Sequence, residues 1–114
     1  MDKIRDNLIA NIDLSPIEAE IFLYLIINGK TSQATIANKV NLSLEKTAEL
    51  LNDLIEKGMI LEISEEYETF HPKFSITNAY RKYCQRIGIA FKKNVQIDNL
   101  ASVVEKIYES ARTK

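Results

Sequence analysis

At 114 residues, with 46% hydrophobic and 27% charged side chains, the chain has the length and composition of one globular domain. Three glycines and two prolines are too few for the turns of an all-β sandwich, and the single cysteine, Cys84, excludes an internal disulfide or a Cys-rich metal site. The net charge of −1 hides a strong polarity. Residues 1–72 carry 13 acidic and 6 basic side chains, whereas residues 73–114 carry 3 acidic and 9 basic ones. Partners feel local patches of charge and not totals, so the two halves are expected to meet different surfaces.

The longest apolar run, Ile21 to Ile27, has seven residues, against the roughly 18 that a membrane span requires. The mixed-charge start, Met1 to Asp6, lacks the basic and apolar stretches of a signal peptide. A reduced, cytoplasmic protein without a membrane partner is the expectation.

In chain order, Ile4, Leu8 and Ile12 place one apolar stripe on a short helix over Asp2 to Ile12. Ser15-Pro16-Ile17-Glu18 then has the form of a capping box with proline at the first helical position. The helix that it starts runs to Asn28 and stops at Gly29. The second half of that helix is apolar on every side, which makes it the hub of the core. Thr31-Ser32 opens a short helix over Gln33 to Lys39, with Ile36, Ala37 and Val40 inward. Ser43 caps a further helix that ends at Lys57-Gly58, with Ala48, Leu51, Leu54 and Ile55 at helical spacing. Two helices joined by so short a turn form a helix-turn-helix unit.

After Gly58 the period changes to that of strands. Ile60–Ile63 and Tyr67–Phe70 flank Ser64-Glu65-Glu66 and read as a hairpin that Pro72 ends. A helix over Ile76 to Phe91 follows, with Ile76, Ala79, Tyr80, Tyr83, Ile87 and Phe91 as its apolar face, until Lys92-Lys93-Asn94 breaks it. Asp98 caps the last helix, in which Ile97, Leu100, Val104, Ile107 and Ala111 form a two-heptad seam suited to docking on a second copy. The fold class is therefore mainly α (α+β): a winged helix-turn-helix over residues 1–72 and a C-terminal helical extension over 73–114, in one compact unit.

The stretch Leu14-Ser15-Pro16-Ile17-Glu18-Ala19-Glu20-Ile21-Phe22-Leu23-Tyr24-Leu25, with Gly29-Lys30, Ile36-Ala37 and Glu56-Lys57-Gly58-Met59-Ile60, resembles TrmB-type winged-helix regulators of archaea over about residues 12–72. The region from His71-Pro72-Lys73-Phe74 through Thr77-Asn78-Ala79-Tyr80-Arg81 is similar to small archaeal proteins that join this winged helix to C-terminal helices. The resemblance implies a dimeric transcriptional regulator with the Ser43-capped helix in the major groove. Long family members add a sugar-binding domain, for which this chain has no residues left, so small-molecule sensing of that type is not carried over.

A recognition helix presents its N-terminal side chains to base edges. Candidate DNA contacts are therefore Ser43, Leu44 and Lys46, with Gln33 and Lys39 of the preceding helix. Similar family members are Ser/Arg/Lys-rich here, whereas this helix holds Glu45, Glu49, Asp53 and Glu56 against Lys46 and Lys57. The wing holds Glu62, Glu65, Glu66 and Glu68 and no base, which suits a gatekept edge better than phosphate contact. Lys73, Arg81, Lys82 and Arg86, with Lys92 and Lys93 beyond, form a basic strip that meets either phosphate or the protein's own acidic half.

Leu8, Leu100, Val104, Ile107 and Ala111 are the candidate dimer contacts. His71 has no second histidine or cysteine beside it for a metal site, and Cys84 reads as a small apolar residue. No cofactor motif or catalytic constellation stands out, so the protein is expected not to be an enzyme. The competing function is that of a winged-helix protein-interaction adaptor, which would meet a basic or apolar partner through the acidic wing with Leu44, Leu50 and Ile55.

Overall fold

The computed structural model describes residues 1–113. In chain order they form α1 (Asp2–Ile12), α2 (Pro16–Asn28), β1 (Thr31–Ser32), α3 (Gln33–Val40), α4 (Leu44–Glu56), β2 (Ile60–Ile63), β3 (Glu66–Thr69), α5 (Pro72–Ile87) and α6 (Val95–Arg112). This is a winged helix-turn-helix, mainly helical, with a small antiparallel sheet.

The core is organised around α2. Its capping box is complete: the Glu18 amide donates to Ser15 Oγ at 3.2 Å, and the Ser15 amide donates to Glu18 Oε1 at 2.9 Å. Ala19, Ile21, Phe22, Leu23, Leu25 and Ile26 are all buried. This burial takes in more than half of the circumference of α2, with Glu20, Ile27 and Asn28 left exposed and Tyr24 half-buried, and α1, α3, α4, α6 and β3 supply the covering neighbours. The resulting apolar cluster draws Leu8 and Ile12 from α1, Leu51 and Leu54 from α4, and Ile76, Ala79 and Cys84 from α5. Residues on both sides of position 72 thus share one core.

Buried polar contacts fix how the helices meet. Lys57, at the end of α4, reaches Glu18 with Nζ 3.0 and 3.1 Å from its two carboxylate oxygens. At the other end of α2, the Arg112 guanidinium donates to Ile26 O at 2.7 Å and lies 4.0 Å from the Tyr108 ring centroid. A cation there also complements the negative end of the helix dipole.

The sheet has the order β1-β3-β2 and is antiparallel throughout. Thr31-Ser32, expected only as a helix start, is also a strand: Thr31 pairs with Tyr67 and Ser32 with Glu66, while Ser32 Oγ accepts from the Thr35 amide to cap α3. Ser64 and Glu65 close the β2–β3 hairpin with φ of 51° and 68°, the two positive values that a tight twisted hairpin demands. Burial first, and then the Glu62 carboxylate, push the Tyr67 phenol above its usual range.

α5 begins at Pro72, four residues before the expected Ile76, because proline suits a first helical turn. Its N-cap is His71, whose Nδ1 accepts from the Lys73 amide at 3.2 Å, while Nε2 lies 3.2 Å from Glu105 of α6. Ser75 Oγ lies 2.9 Å from both Met59 O and Phe70 O and sews the helix to the base of the hairpin. Gly58, at φ 75°, is also required sterically, because a Cβ there would stand 2.8 Å from that of Asn78. Asn78 Nδ2 donates to Gly58 O at 2.9 Å and binds α5 to the α4–β2 junction.

α5 ends at Ile87, capped by Gly88 and not running on to Phe91; Ile87, its last residue, is exposed, and so is Phe91 beyond it. Asn94, not Asp98, caps α6, with Oδ1 accepting from the Gln96 and Ile97 amides. The larger correction concerns the seam. Leu8, Leu100 and Val104, expected to meet a second copy, are buried within a single chain, where α6 packs on α1, α2 and α5. Ile107 is partly buried against the same core. Ala111 is half-buried and borders a surface groove with Ile27, Lys106, Ile107 and Ser110.

Because Leu100 belongs to the core, Leu100→Ala is expected to cost about 2–5 kcal/mol. Urea unfolding followed by circular dichroism measures that loss. A change of association state with undiminished stability would contradict the assignment.

Candidate nucleic-acid interface

The helix-turn-helix is built by local chemistry. Ser43 Oγ accepts from the Lys46 amide at 3.1 Å and so starts α4. Between α3 and α4 the chain reverses at Asn41, with φ 58° and ψ 48°, a conformation that asparagine tolerates better than most residues. The Leu42 amide donates back to Ala37 O at 3.1 Å and closes the end of α3. Gln33 Nε2 donates to Leu44 O at 3.0 Å, tying the first residue of α3 to the first turn of α4. Among the candidate contacts, Gln33, Ser43, Leu44 and Lys46 therefore come together around the N-terminus of α4. Leu44 is 55% exposed, and Lys46 forms an exposed pair with Glu49 at 3.3 Å.

Thr47, Leu51 and Leu54 anchor α4 in the core. At roughly 100° per residue, the opposite side carries Glu45, Glu49, Asn52 and Glu56, all exposed. The outward stripe is thus acidic, with Lys46 off to one side. Asn52 escaped the sequence reading. Its spacing of three from Glu49 and seven from Glu45 was the available signal, and a carboxamide is the side chain best matched to adenine.

The remaining candidates are dispersed. Lys39 turns away from α4 and lies over the Tyr24 ring at 5.9 Å, in a cleft with Asp2, Arg5 and Glu20. The expected basic strip on α5 is divided three ways. Lys73 faces α6 and stands 3.7 Å from Glu105. Arg81 bonds to Asn78 Oδ1 at 3.0 Å and lies over Phe91 at 4.9 Å. Lys82 and Arg86 share a shallow cleft of about 400 Å³ with Asp53, Glu56 and Lys57 at the far end of α4, and Arg86 pairs with Asp13 at 3.1 Å. The helix period explains the division, since residues 73, 81, 82 and 86 span more than half the circumference.

Among the described residues, no three His, Cys, Asp or Glu side chains converge as a metal would require, and no helix is long and apolar enough to cross a membrane. Cys84 is buried.

The Gln33 contact is the staple that sets the α4 N-terminus relative to α3. Its removal in Gln33→Ala is expected to cost about 0.5–1.5 kcal/mol and to quicken amide exchange in the first turn of α4 more than in α2. Equal exchange in the two helices would show that the contact is incidental.

Comparisons with known proteins agree with this architecture. Residues 8–77 match the family model of the sugar-specific transcriptional regulator TrmB. The fold is similar to that of TrmBL2, an archaeal chromatin protein whose structure shows a novel mode of DNA binding, with a TM-score of 0.63 and 17% identity. That likeness covers 98% of this chain and 42% of TrmBL2, so the chain spans less than half the length of that protein. A comparison with curated proteins gave no match. Matched over more than half of its length, the chain belongs to the TrmB family, a family of transcriptional regulators and not of enzymes.

Proposed function

We propose that the chain binds double-stranded DNA as a homodimeric transcriptional regulator, with the first turn of α4 entering the major groove. The observation that carries the reading is the Ser43-capped N-terminus of α4, which stands clear of the core with Ser43, Leu44 and Lys46 at the surface. Family membership and the likeness to TrmBL2 support it. The acidic stripe of α4 begins at Glu45 in that same turn; a carboxylate is repelled by phosphate and accepted by a cytosine amino group, so Glu45 would face a base edge and not the backbone.

For the homodimer, the surface left available on α6 is the stripe beside its buried seam. Val103 is exposed there and Ile107 and Ala111 are half-exposed, with Ile27 of α2 beside them. We place the two-fold contact on this stripe, which keeps Ile107 and Ala111 as dimer residues and leaves Leu8, Leu100 and Val104 to the core. A two-fold pair of α4 helices would meet a pseudo-palindromic site at half-sites about one helical turn apart.

A second reading, a protein-interaction adaptor, is favoured by one specific observation. The outward stripe of α4 and the four wing glutamates offer carboxylates where a DNA reader offers bases. Leu44 is well exposed, while Leu50 and Ile55 are half-buried beside the same stripe.

Fluorescence anisotropy of mixed-sequence duplex DNA distinguishes the two. Under the DNA reading, binding at low salt fades as salt rises, and Lys46→Ala lowers the slope of log affinity against log salt by about 0.9. Absence of binding at low salt would leave the adaptor as the function. The dimer is tested separately by sedimentation. Val103→Glu, a change at an exposed position, is expected to yield a folded monomer, and an assembly that survives it would exclude this contact.

A further inference from the structure

Two exposed surfaces of the chain are chemically matched to one another. The first is the segment joining α5 to α6. Ile89, Phe91 and Val95 are 49%, 47% and 66% exposed there. One side of the Phe91 ring rests near Tyr80, with centroids 5.8 Å apart, and the Arg81 guanidinium lies over it. Lys92 and Lys93 follow directly, and Lys93 pairs with Asp98 at 2.8 Å. The result is an apolar knob with a surplus of positive charge.

The second surface is the outer face of the wing. The register pairs Leu61 with Glu68 and Ile63 with Glu66, and alternation places all four on the side opposite the buried Ile60, Tyr67 and Thr69. Phe70 continues that side, and it and Ile63 are each 38% exposed. Among the described residues, no ion pair reaches Glu62, Glu65, Glu66 or Glu68. The wing thus presents an apolar face with a surplus of negative charge.

We infer that the outer face of the wing in one copy receives the segment of residues 87–95 of a second copy. Ile89 and Phe91 cover Leu61, Ile63 and Phe70, while Arg81, Lys92 and Lys93 face Glu65, Glu66 and Glu68. Complementarity of both charge and apolar content selects this occupant. A polyphosphate would satisfy the lysines but leave Ile89 and Phe91 against a hydrated backbone, and the wing glutamates repel any polyanion. The contact joins two different surfaces: paired reciprocally it closes a two-fold dimer, and paired one way it leaves one of each free on the growing assembly, which extends head to tail into rings or open arrays. It depends neither on DNA reading nor on the two-fold contact at Val103.

Sedimentation velocity of the full chain without DNA tests it. The comparison is between about 0.02 M and about 0.3 M salt, where the screening length shrinks from roughly 20 Å to roughly 6 Å. At low salt the average mass is expected to rise with protein concentration beyond the species present at high salt, in Val103→Glu as in the parent chain. Glu66→Lys with Glu68→Lys, or Lys92→Glu with Lys93→Glu, each made alone, suppresses the rise by moving half-association upward at least about tenfold in concentration. An equimolar mixture of the two recovers it, because one variant then carries bases on both surfaces and the other acids on both.

A mass independent of salt and concentration overturns the inference. So does assembly that survives either reversal, or a mixture of two folded variants that fails to recover. Binding of duplex DNA or anionic vesicles through residues 87–95, with no self-association, assigns the knob to a polyanion and likewise overturns it. Where a reversal impairs folding, Ile89→Ser serves instead, and unchanged self-association in that variant has the same force.

Discussion

The fold follows from one constraint: a helix that is apolar over more than half of its circumference has to be covered on that side. α2 presents Ile21, Phe22, Leu25 and Ile26 over one broad face, and each is fully buried. The helix-turn-helix and sheet cover part of that surface, and α1 and α6 cover the rest. The C-terminal helix is therefore a wall of the domain, and its Leu100 and Val104 are committed to that role. Removing roughly 25 cal/mol per Å² of apolar surface from water drives the enclosure. A seam already spent on the chain's own core has no second such gain to offer a partner. In the proposed dimer, association therefore rests on the weaker flanking stripe at Val103 and Ile107, and its assembly and folding are separable events.

Polar clamps at the two ends of α2 turn this enclosure into a defined orientation. Glu18 accepts from the Ser15 amide and also holds Lys57, and its side chain is only 6% exposed. Apolar residues in place of such a buried pair are often as stable or more so, while loss of one partner costs several kcal/mol. Its value is specification: it fixes the C-terminal end of α4 against the N-terminal end of α2. Gln33 sets the other end of α4 by its bond to Leu44 O. With both ends fixed, the first turn of α4 is held out from the body by the same contacts that stabilise it.

Local signals made most of the fold legible. The Ser15–Glu18 box, the Ser43 cap and the change of period after Gly58 are written within a few residues each, so α1 to α4, β2 and β3 emerge near their observed limits. Features that depend on distant partners do not. Thr31-Ser32 is a strand only because Tyr67 and Glu66 come alongside. Asn94 displaces Asp98 as a cap because Tyr80 Oη fixes its carboxamide, accepting from Nδ2 at 3.2 Å. Periodicity finds the seam of α6 but cannot say whether its partner is another copy or the chain's own α2, since both reward the same spacing. Of the interface, the first turn of α4 was legible from its cap. The fate of Lys39 and the division of the α5 bases were not, because they rest on Tyr24, Asp13 and Glu105, far off in sequence.

Those intramolecular pairs do not disarm the α5 cations. Arg86 with Asp13 is largely exposed, and Lys73 is exposed beside a partly buried Glu105; exposed pairs are worth about 0–1 kcal/mol, within reach of exchange for a phosphate. What limits DNA contact is position. Lys82 and Arg86 stand at the far end of α4, across a cleft from Asp53 and Glu56, while the exposed first turn carries Lys46 as its one base. A reader of this form neutralises few phosphates per copy, so little affinity comes from counterion release. Under the proposed function, discrimination would then rest on a few base-edge contacts and on two copies bound together, so that assembly, and not net charge, would govern occupancy.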